Sequence, residues 1–332
     1  MKKHARMILA LMLFGSYACS GEPGPKEGAP ASTVVSNHLS LLPETTHLLI
    51  YANMKALKET PLGAEIGREV DRKIRNEHDD ESYRRFVEQT GFVFERDVQE
   101  IWISGGNTGE YDEHSGGAIV HGDFDQDKII DFAKKDRVWE EEFEGHKIYR
   151  SESHKDKFAF AFLNDETVVL GEEPWLKTII LQTKGGKSMI DNPDMSRFLS
   201  KISNKNYFWG VVDMGGNKWA ENLRQHGSPF RGAESLEKMK SLVFYANVDQ
   251  KAELIMNGDF TTADEAELFA DMLNGFKAMA KMMVSDDKEA IDMLNEIRIK
   301  TAGPGLRLTL NIDKNFLNKL EQKRQKFEKI EL

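Results

Sequence analysis

The stretch AELIMNGDFTTADEAELF, residues 252–269, sets the organisation of the chain because it predicts a strand, a sharp corner and the start of a helix. Apolar residues dominate before the corner, and from Ala263 onward they recur at the three- and four-residue steps of a helix. The stretch GAIVHGDFDQDKIIDF, residues 117–132, has the same order. The shared Gly-Asp-Phe corner therefore indicates an internal repeat.

The repeat extends to both sides of this corner. The first half predicts strands at 48–54, 99–104 and 117–121, a helix at 126–135 and strands at 147–150, 158–163 and 167–170. The second half predicts strands at 208–214, 240–247 and 252–256, a helix at 263–283 and strands at 296–301 and 306–311. Each half is expected to finish in a helix. We predict an α+β fold of two related units, each a mostly antiparallel sheet with helices on one face. The order strand-helix-strand-strand-helix-strand is that of ferredoxin-like folds.

The Gly-Asp-Phe corner predicts a structural role. Gly122 and Gly258 can supply an unusual backbone conformation at the end of a strand. The aspartates that follow them can hydrogen-bond local amides, and the phenylalanines after those can pack under the next helix. Duplication of the corner favours architecture over catalysis. We therefore predict that replacing Gly122 by valine lowers the melting temperature.

The N-terminus predicts export. A cationic start, with Lys2, Lys3 and Arg6, precedes an apolar run from Met7 to Phe14, which is the pattern of a signal peptide. The run is much shorter than the roughly 20 residues of a membrane-spanning helix. Cys19, the single cysteine, follows small residues directly after this leader. A lone thiol can form no internal disulfide, so processing explains it better than pairing.

Ser16-Tyr17-Ala18-Cys19 resembles the lipobox of bacterial lipoproteins. The resemblance implies that Cys19 receives a diacylglyceryl group, that the new N-terminus receives a fatty acid, and that both chains anchor the protein in a membrane. Ser16 stands where this family usually has leucine, so cleavage by ordinary signal peptidase is the alternative. Ser20, rather than aspartate, follows the cysteine. By the same resemblance, the outer membrane of a bacterial envelope is the favoured location.

Composition divides the chain further. Residues 20–37 are rich in Gly, Pro, Ser and Ala, which predicts a flexible tether reaching about 20–25 Å. We predict a signal peptide at 1–18, the lipidated cysteine and tether at 19–37, a first α+β unit at 38–200 and a second at 201–332. Without the leader, 42 basic residues remain against 55 acidic ones, a net charge of −13. That sign excludes nucleic acid as an expected partner and disfavours electrostatic adhesion to anionic lipid.

Known site motifs match incompletely. Asp123, Asp125 and Asp127 imitate an EF-hand loop, but Lys128 replaces its glycine and Lys134 its bidentate glutamate. Helix capping explains Asp125, and Thr262 with Glu265 has the spacing of a capping box. The sequence GKS at 186–188 lacks the first glycine of a phosphate-binding loop. The histidines, His121 among them, lack zinc-site spacing and are expected at the surface or at strand ends. We predict no catalytic residues, no metal site and no cofactor.

The clearest binding candidate is the methionine-rich helix at 263–283. Apolar residues recur there at helical spacing and share one face, which must be buried against something. As a candidate face for a partner or an apolar ligand we select Phe269, Met272, Phe276, Met279 and Met283. Packing against the second sheet is the simpler alternative, while methionines also suit adaptable binding surfaces.

These features lead to three functional hypotheses. A Pro-x-x-Thr sequence stands near the start of the folded part, here Pro43-Glu44-Thr45-Thr46. With it, the mature chain resembles uncharacterised secreted or lipid-anchored bacterial proteins built from duplicated α+β units. That resemblance implies no activity. We favour a lipid-anchored, non-enzymatic envelope protein that binds another protein or supports envelope assembly. The alternatives are a carrier or sensor of an apolar ligand that uses the methionine-rich helix, and a hydrolase whose active-site residues are distant in sequence.

Overall fold

The structure is a computed structural model. It describes residues 38–65, 67, 81–107, 114–135, 138–151, 158–203, 206–215 and 236–313. The predicted signal peptide, Cys19, the predicted tether and the helix expected at the end of the second half lie outside the described residues.

Strands and helices alternate along the described chain. The strands are β1 (Thr46–Asn53), β2 (Val98–Asn107), β3 (His114–Gly122), β4 (Val138–Phe143), β5 (His146–Ser151), β6 (Phe158–Asn164), β7 (Thr167–Glu172), β8 (Phe208–Asp213), β9 (Met239–Val248), β10 (Ala252–Phe260), β11 (Arg298–Ala302) and β12 (Gly305–Ile312). The helices are α1 (Met54–Glu59), α2 (Glu81–Thr90), α3 (Phe94–Asp97), α4 (Gln126–Lys135), α5 (Glu173–Gln182), α6 (Pro193–Leu199), α7 (Ala263–Met283) and α8 (Lys288–Asn295). The strand and helix positions predicted around both Gly-Asp-Phe corners are thereby confirmed.

The predicted fold class is wrong in how these strands assemble. All twelve belong to one antiparallel sheet, in the order β11-β12-β10-β9-β8-β1-β2-β3-β7-β6-β5-β4. We expected two units with a sheet each. Residue periodicity identifies strands and the faces they bury, but it does not specify which strands are neighbours. Without the strand neighbours, one sheet cannot be distinguished from two.

The ferredoxin-like order is wrong for the same reason. In that fold, strands connected through a helix run parallel. Here β1 and β2 are connected through helices, yet they are antiparallel neighbours, with Leu49 opposite Ser104 and Ile50 opposite Ile103. β2 then pairs with β3 in the same antiparallel sense. After α4, the meander β4 to β7 returns so that β7 pairs with β3. In the second half, β12 returns to β10.

Helices cover both faces of the sheet in the first half, whereas one face was predicted. Trp175 of α5 packs over Gly117, whose strand partner is Gly171. Phe162 pairs with Val168, which lies three residues before Gly171 on β7. Because successive strand residues alternate between faces, Phe162 lies on the opposite face from Gly171. An aromatic cluster that includes residues of α2 and α4 fills this second side, formed by Phe86, Phe92, Phe124, Phe132 and Phe162.

The Gly-Asp-Phe corners are close approaches rather than strained turns. Neither glycine has a positive φ, so the predicted unusual backbone conformation is wrong. A Cβ at Gly122 would lie 2.0 Å from the carbonyl oxygen of Asp97. A Cβ at Gly258 would meet only side-chain atoms, the nearest being Met239 Cε at 3.2 Å. Phe260 packs on Phe269 of the next helix, as predicted.

The described residues form two compact units, one ending at Gly210 and the other beginning at Val211. The first has a core around Trp102, Trp175 and Phe198. The second has a core around Phe260 and Phe269. The domain limits predicted from composition stay a prediction.

Candidate functional site

Helix α7 begins at a strong N-terminal cap. The Thr262 side chain accepts a hydrogen bond from the Glu265 amide at 3.3 Å, and the Glu265 carboxylate accepts one from the Thr262 amide at 2.9 Å. This is the capping box predicted from the spacing of the two residues. Further along, Lys277 donates to the carbonyl of Ile297, which ties the second half of α7 to the segment before β11. The helix is therefore held at its start and in its second half.

One arc of α7 packs into the core of the second unit. Ala266, Phe269 and Ala270 are buried with Phe260 of β10 and Leu306 of β12. Met272 and Leu273 are partly buried against the same cluster. This packing fixes which side of the helix faces away from the sheet.

The adjoining arc of α7 is apolar and exposed. Of the eight large hydrophobic side chains exposed among the described residues, five lie on this helix. We call them the methionine stripe: Leu268 (63% exposed), Phe276 (36%), Met279 (55%), Met282 (76%) and Met283 (87%). At 3.6 residues per turn they span about 120° around the axis. No charged residue falls on this arc between Leu268 and Met283.

The structure divides the five predicted face residues between these two arcs. Phe269 belongs to the core, and Met272 is partly buried beside it. Phe276, Met279 and Met283 lie together on the exposed stripe. Their role in binding stays a prediction. The sequence selection omitted Met282, which its three-residue step from Met279 could have identified.

The surroundings of the methionine stripe are more acidic than basic. Glu267 and Asp271 are exposed on one border of the stripe, and Asp264 is exposed at the start of the helix. Gly275 lies on the stripe itself, and a Cβ built there would meet nothing within 4 Å. A partner can therefore approach the α7 backbone closely at this point.

A second unusual feature is a buried carboxyl in the first unit. Glu100 of β2 is 9% exposed and lies between Asn53 of β1 and His121 of β3 in the strand register. Tyr51 donates a hydrogen bond to Glu100 Oε1 at 3.0 Å, and Asn53 donates a longer one at 3.4 Å. Glu100 Oε2 is buried and has no hydrogen-bond partner among the described residues. Leaving a buried polar atom unpaired costs about 1–3 kcal/mol.

Two more buried atoms near Glu100 are also unpaired in the described part of the chain. They are Nδ1 of His121 and Nε1 of Trp102. His38, the first described residue, stacks on the Trp102 ring with centroids 4.3 Å apart, and its own ring lies 5.6 Å from that of His121. His121 lies one residue before the end of β3, where a strand-end histidine was expected, but its Nδ1 is buried. Strand register places Asn53, Glu100 and His121 side by side, so residue patterns within single segments did not identify the cluster.

Burial is the largest influence on the pKa values of Glu100 and Tyr51 in this polar cluster. Burial raises the pKa of the Glu100 carboxyl, while the Tyr51 hydrogen bond and the charge of His121 lower it less. Burial, and then Glu100, raise the pKa of Tyr51 well above its usual range, so its hydroxyl stays protonated. Both side chains are buried within the fold. A hydrolase would need such groups in an open cleft.

Comparison with known proteins adds little to these observations. No family model matches the chain, and no curated protein matches it. Among solved structures, the chain is similar to crystal form IV of TP0453, with a TM-score of 0.45 and 10% identity, over 82% of this chain and 92% of that chain. In the described part of the chain, no helix has the length and apolar character needed to cross a membrane.

Proposed function

We propose that this protein is a lipid-anchored, non-enzymatic component of the bacterial envelope that binds another protein through the methionine stripe. The observation that carries the proposal is the stripe itself, five large apolar side chains exposed along one arc of α7. Contiguous exposed apolar patches on soluble bodies usually mark interaction sites. Cys19 and its lipobox-like context support the anchored location.

The shape of the stripe favours a protein helix as its occupant. It follows one arc of a single helix for about four turns, which is the contact that a second amphipathic helix makes with residues at three- and four-residue steps. Gly275 leaves room for such a helix to approach closely. Methionine side chains adapt to irregular partner surfaces.

Charge and orientation disfavour the lipid alternatives. Glu267 and Asp271 border the stripe, and the chain without its leader carries a net charge of −13, so anionic headgroups would be repelled. The stripe also faces away from the core of its own unit, whereas a carrier would enclose an apolar ligand. A protein surface of basic and apolar character fits best.

Site-specific photocrosslinking in intact cells tests this proposal. A photoreactive residue at Met279 should capture one defined envelope protein. The same residue at Asn274, exposed on α7 about 140° away around the helix axis, should capture much less of it. Capture of lipid alone at Met279 would contradict protein binding and favour the apolar-ligand carrier. Equal capture at both positions would show that the stripe is not the contact.

The anchor has a separate test. Replacing Cys19 by serine should abolish fatty-acid labelling and move the protein from the membrane fraction to the soluble fraction, because each buried CH2 of the acyl chains contributes about 0.8 kcal/mol. Labelling and fractionation of the wild type and the variant measure this directly. Labelling that persists in the variant would place the attachment elsewhere.

A further inference from the structure

The methionines in the described part of the chain differ sharply in exposure. Five are buried, each at 7% exposed or less: Met54, Met189, Met195, Met214 and Met239. Three are more than half exposed, and all three belong to the methionine stripe: Met279 at 55%, Met282 at 76% and Met283 at 87%. Those of intermediate burial are Met256, Met272 and Met293. The methionine side chains that solvent reaches most easily are therefore gathered in one place.

The three exposed methionines are close neighbours on α7. Met282 and Met283 follow Met279 by three and four residues, the spacings at which side chains meet on a helix surface. Lys277 attaches this part of the helix by its hydrogen bond to the Ile297 carbonyl, and that contact involves no sulfur. A chemical change at the three sulfurs would therefore alter one surface and leave the attachment of α7 in place.

Exposed methionine is the sulfur group that a peroxide meets first on this protein. Cys19 is the single cysteine, and its resemblance to a lipobox cysteine implies that its sulfur is acylated. Exported proteins also meet oxidising conditions. In the reaction, one peroxide oxygen forms a bond to the methionine sulfur while the O–O bond breaks. The sulfur loses two electrons, and the second oxygen leaves as water after taking the proton of the first.

We propose that Met279, Met282 and Met283 form an oxidation site, at which hydrogen peroxide converts the three thioethers into sulfoxides and thereby releases the protein partner of the methionine stripe. A sulfoxide is polar, whereas the thioether that it replaces is apolar. In the free chain the new oxygens are hydrated. In the complex they would lie in a desolvated contact without a hydrogen-bond partner, which is unfavourable. Release of the partner rests on the proposed function, whereas selective oxidation does not.

The same exposure makes the modification reversible. Methionine sulfoxide reductases remove the sulfoxide oxygen as water while two thiols are oxidised to a disulfide, with one enzyme type for each sulfoxide epimer. Side chains that are 55–87% exposed are open to such an enzyme. The five buried methionines are shielded from peroxide by the fold. The stripe can therefore be switched off and restored without unfolding of the core.

Peptide mass spectrometry of the full-length chain treated with hydrogen peroxide tests the selectivity without any partner. Met279, Met282 and Met283 should each gain one oxygen at least about tenfold faster than Met189 and Met195, both of which are 0% exposed. The circular dichroism spectrum should be unchanged when the three exposed methionines have reacted. Equal rates at exposed and buried methionines would overturn the proposal, as would a loss of helical signal at that stage.

Titration with the partner captured by crosslinking at Met279 tests the release. After the peroxide is removed, oxidised wild type should show a Kd at least about tenfold higher. Treatment with both reductase types and dithiothreitol should restore the original Kd. The matched control is Met293→Leu, which removes a methionine of α8 outside the stripe and should keep this response.

The triple variant Met279→Leu, Met282→Leu, Met283→Leu should lose the response, because leucine has no sulfur to oxidise. Each protein is compared with itself before and after peroxide, so differences in starting affinity cancel. A Kd of the wild type that peroxide leaves unchanged would overturn the release, and so would an equal rise in the triple variant. Failure to capture any partner at Met279 contradicts the proposed function instead, and the rates measured without a partner then decide the oxidation site.

Discussion

Replacement of Gly122 by alanine is expected to lower the melting temperature by roughly 2–12 °C. The new Cβ would lie 2.0 Å from the Asp97 carbonyl oxygen and 3.2 Å from Val98 Cα, both main-chain atoms. Overpacking of a close contact costs about 1–3 kcal/mol, and 1 kcal/mol shifts the melting temperature of a body this size by about 2–4 °C. Thermal unfolding followed by circular dichroism or calorimetry measures the shift.

The Asp97 backbone has little freedom to move away from this new methyl group. Its carbonyl accepts a hydrogen bond from the Asp123 amide at 2.8 Å, and its buried side chain accepts one from the Val93 amide at 2.7 Å. Gly122 itself donates to the Glu166 carbonyl at 2.9 Å. Relief of the clash would therefore disturb several bonds at once.

Gly258→Ala is the matched control for Gly122→Ala, because it changes the same position of the repeated corner. Its Cβ would meet the flexible end of Met239 at 3.2 Å, which can shift at small cost. We expect a change of about 1 kcal/mol or less for this variant. Equal losses in the two variants would contradict the close approach at Gly122 and would favour a shared requirement of the corner.

The two corners also show how far the sequence predicts this fold. Local patterns are sufficient for α4, which spans the predicted residues 126–135, and for the capping box that starts α7. They are insufficient for the sheet, because the partner of each strand depends on contacts between segments far apart in the chain. The glycine at the corner illustrates the same limit. The sequence shows a glycine at this position in both halves. The close approach of Gly122 to Asp97, however, depends on the pairing of β2 with β3.

The methionine stripe and the polar cluster around Glu100 also differ in how far the sequence predicts them. The apolar spacing of α7 predicts the methionine stripe, but it does not separate Phe269, which enters the core, from Met279, which lies outside it. That separation depends on how the helix is rotated against β10 and β12. The polar cluster was missed entirely, since Glu100 and His121 are neighbours only through the register of β2 with β3. A glutamate two residues before a tryptophan in a strand, Glu100 and Trp102, was the one local signal of a buried carboxyl.

Replacing both Met279 and Met283 by glutamate should weaken partner binding by at least about 100-fold while leaving the fold intact. Burying a large apolar side chain contributes about 1.5–3 kcal/mol, and an unpaired charge in a desolvated contact costs further free energy. A loss of about 2.7 kcal/mol of binding free energy raises Kd about 100-fold. Both side chains are more than half exposed in the free protein, so the melting temperature should change little.

Comparison with a polar position on α7 distinguishes loss of the apolar contact from a general effect of charge. Asn274→Glu adds a negative charge to an exposed site of the same helix, outside the methionine stripe. It should change the affinity for the crosslinked partner by less than about threefold, as expected for a charge outside the contact. Titration of the purified partner against the wild type and both variants gives the three Kd values. If Asn274→Glu weakens binding as much as the double methionine variant, electrostatic repulsion rather than apolar burial governs the contact, and the stripe is then not the binding surface.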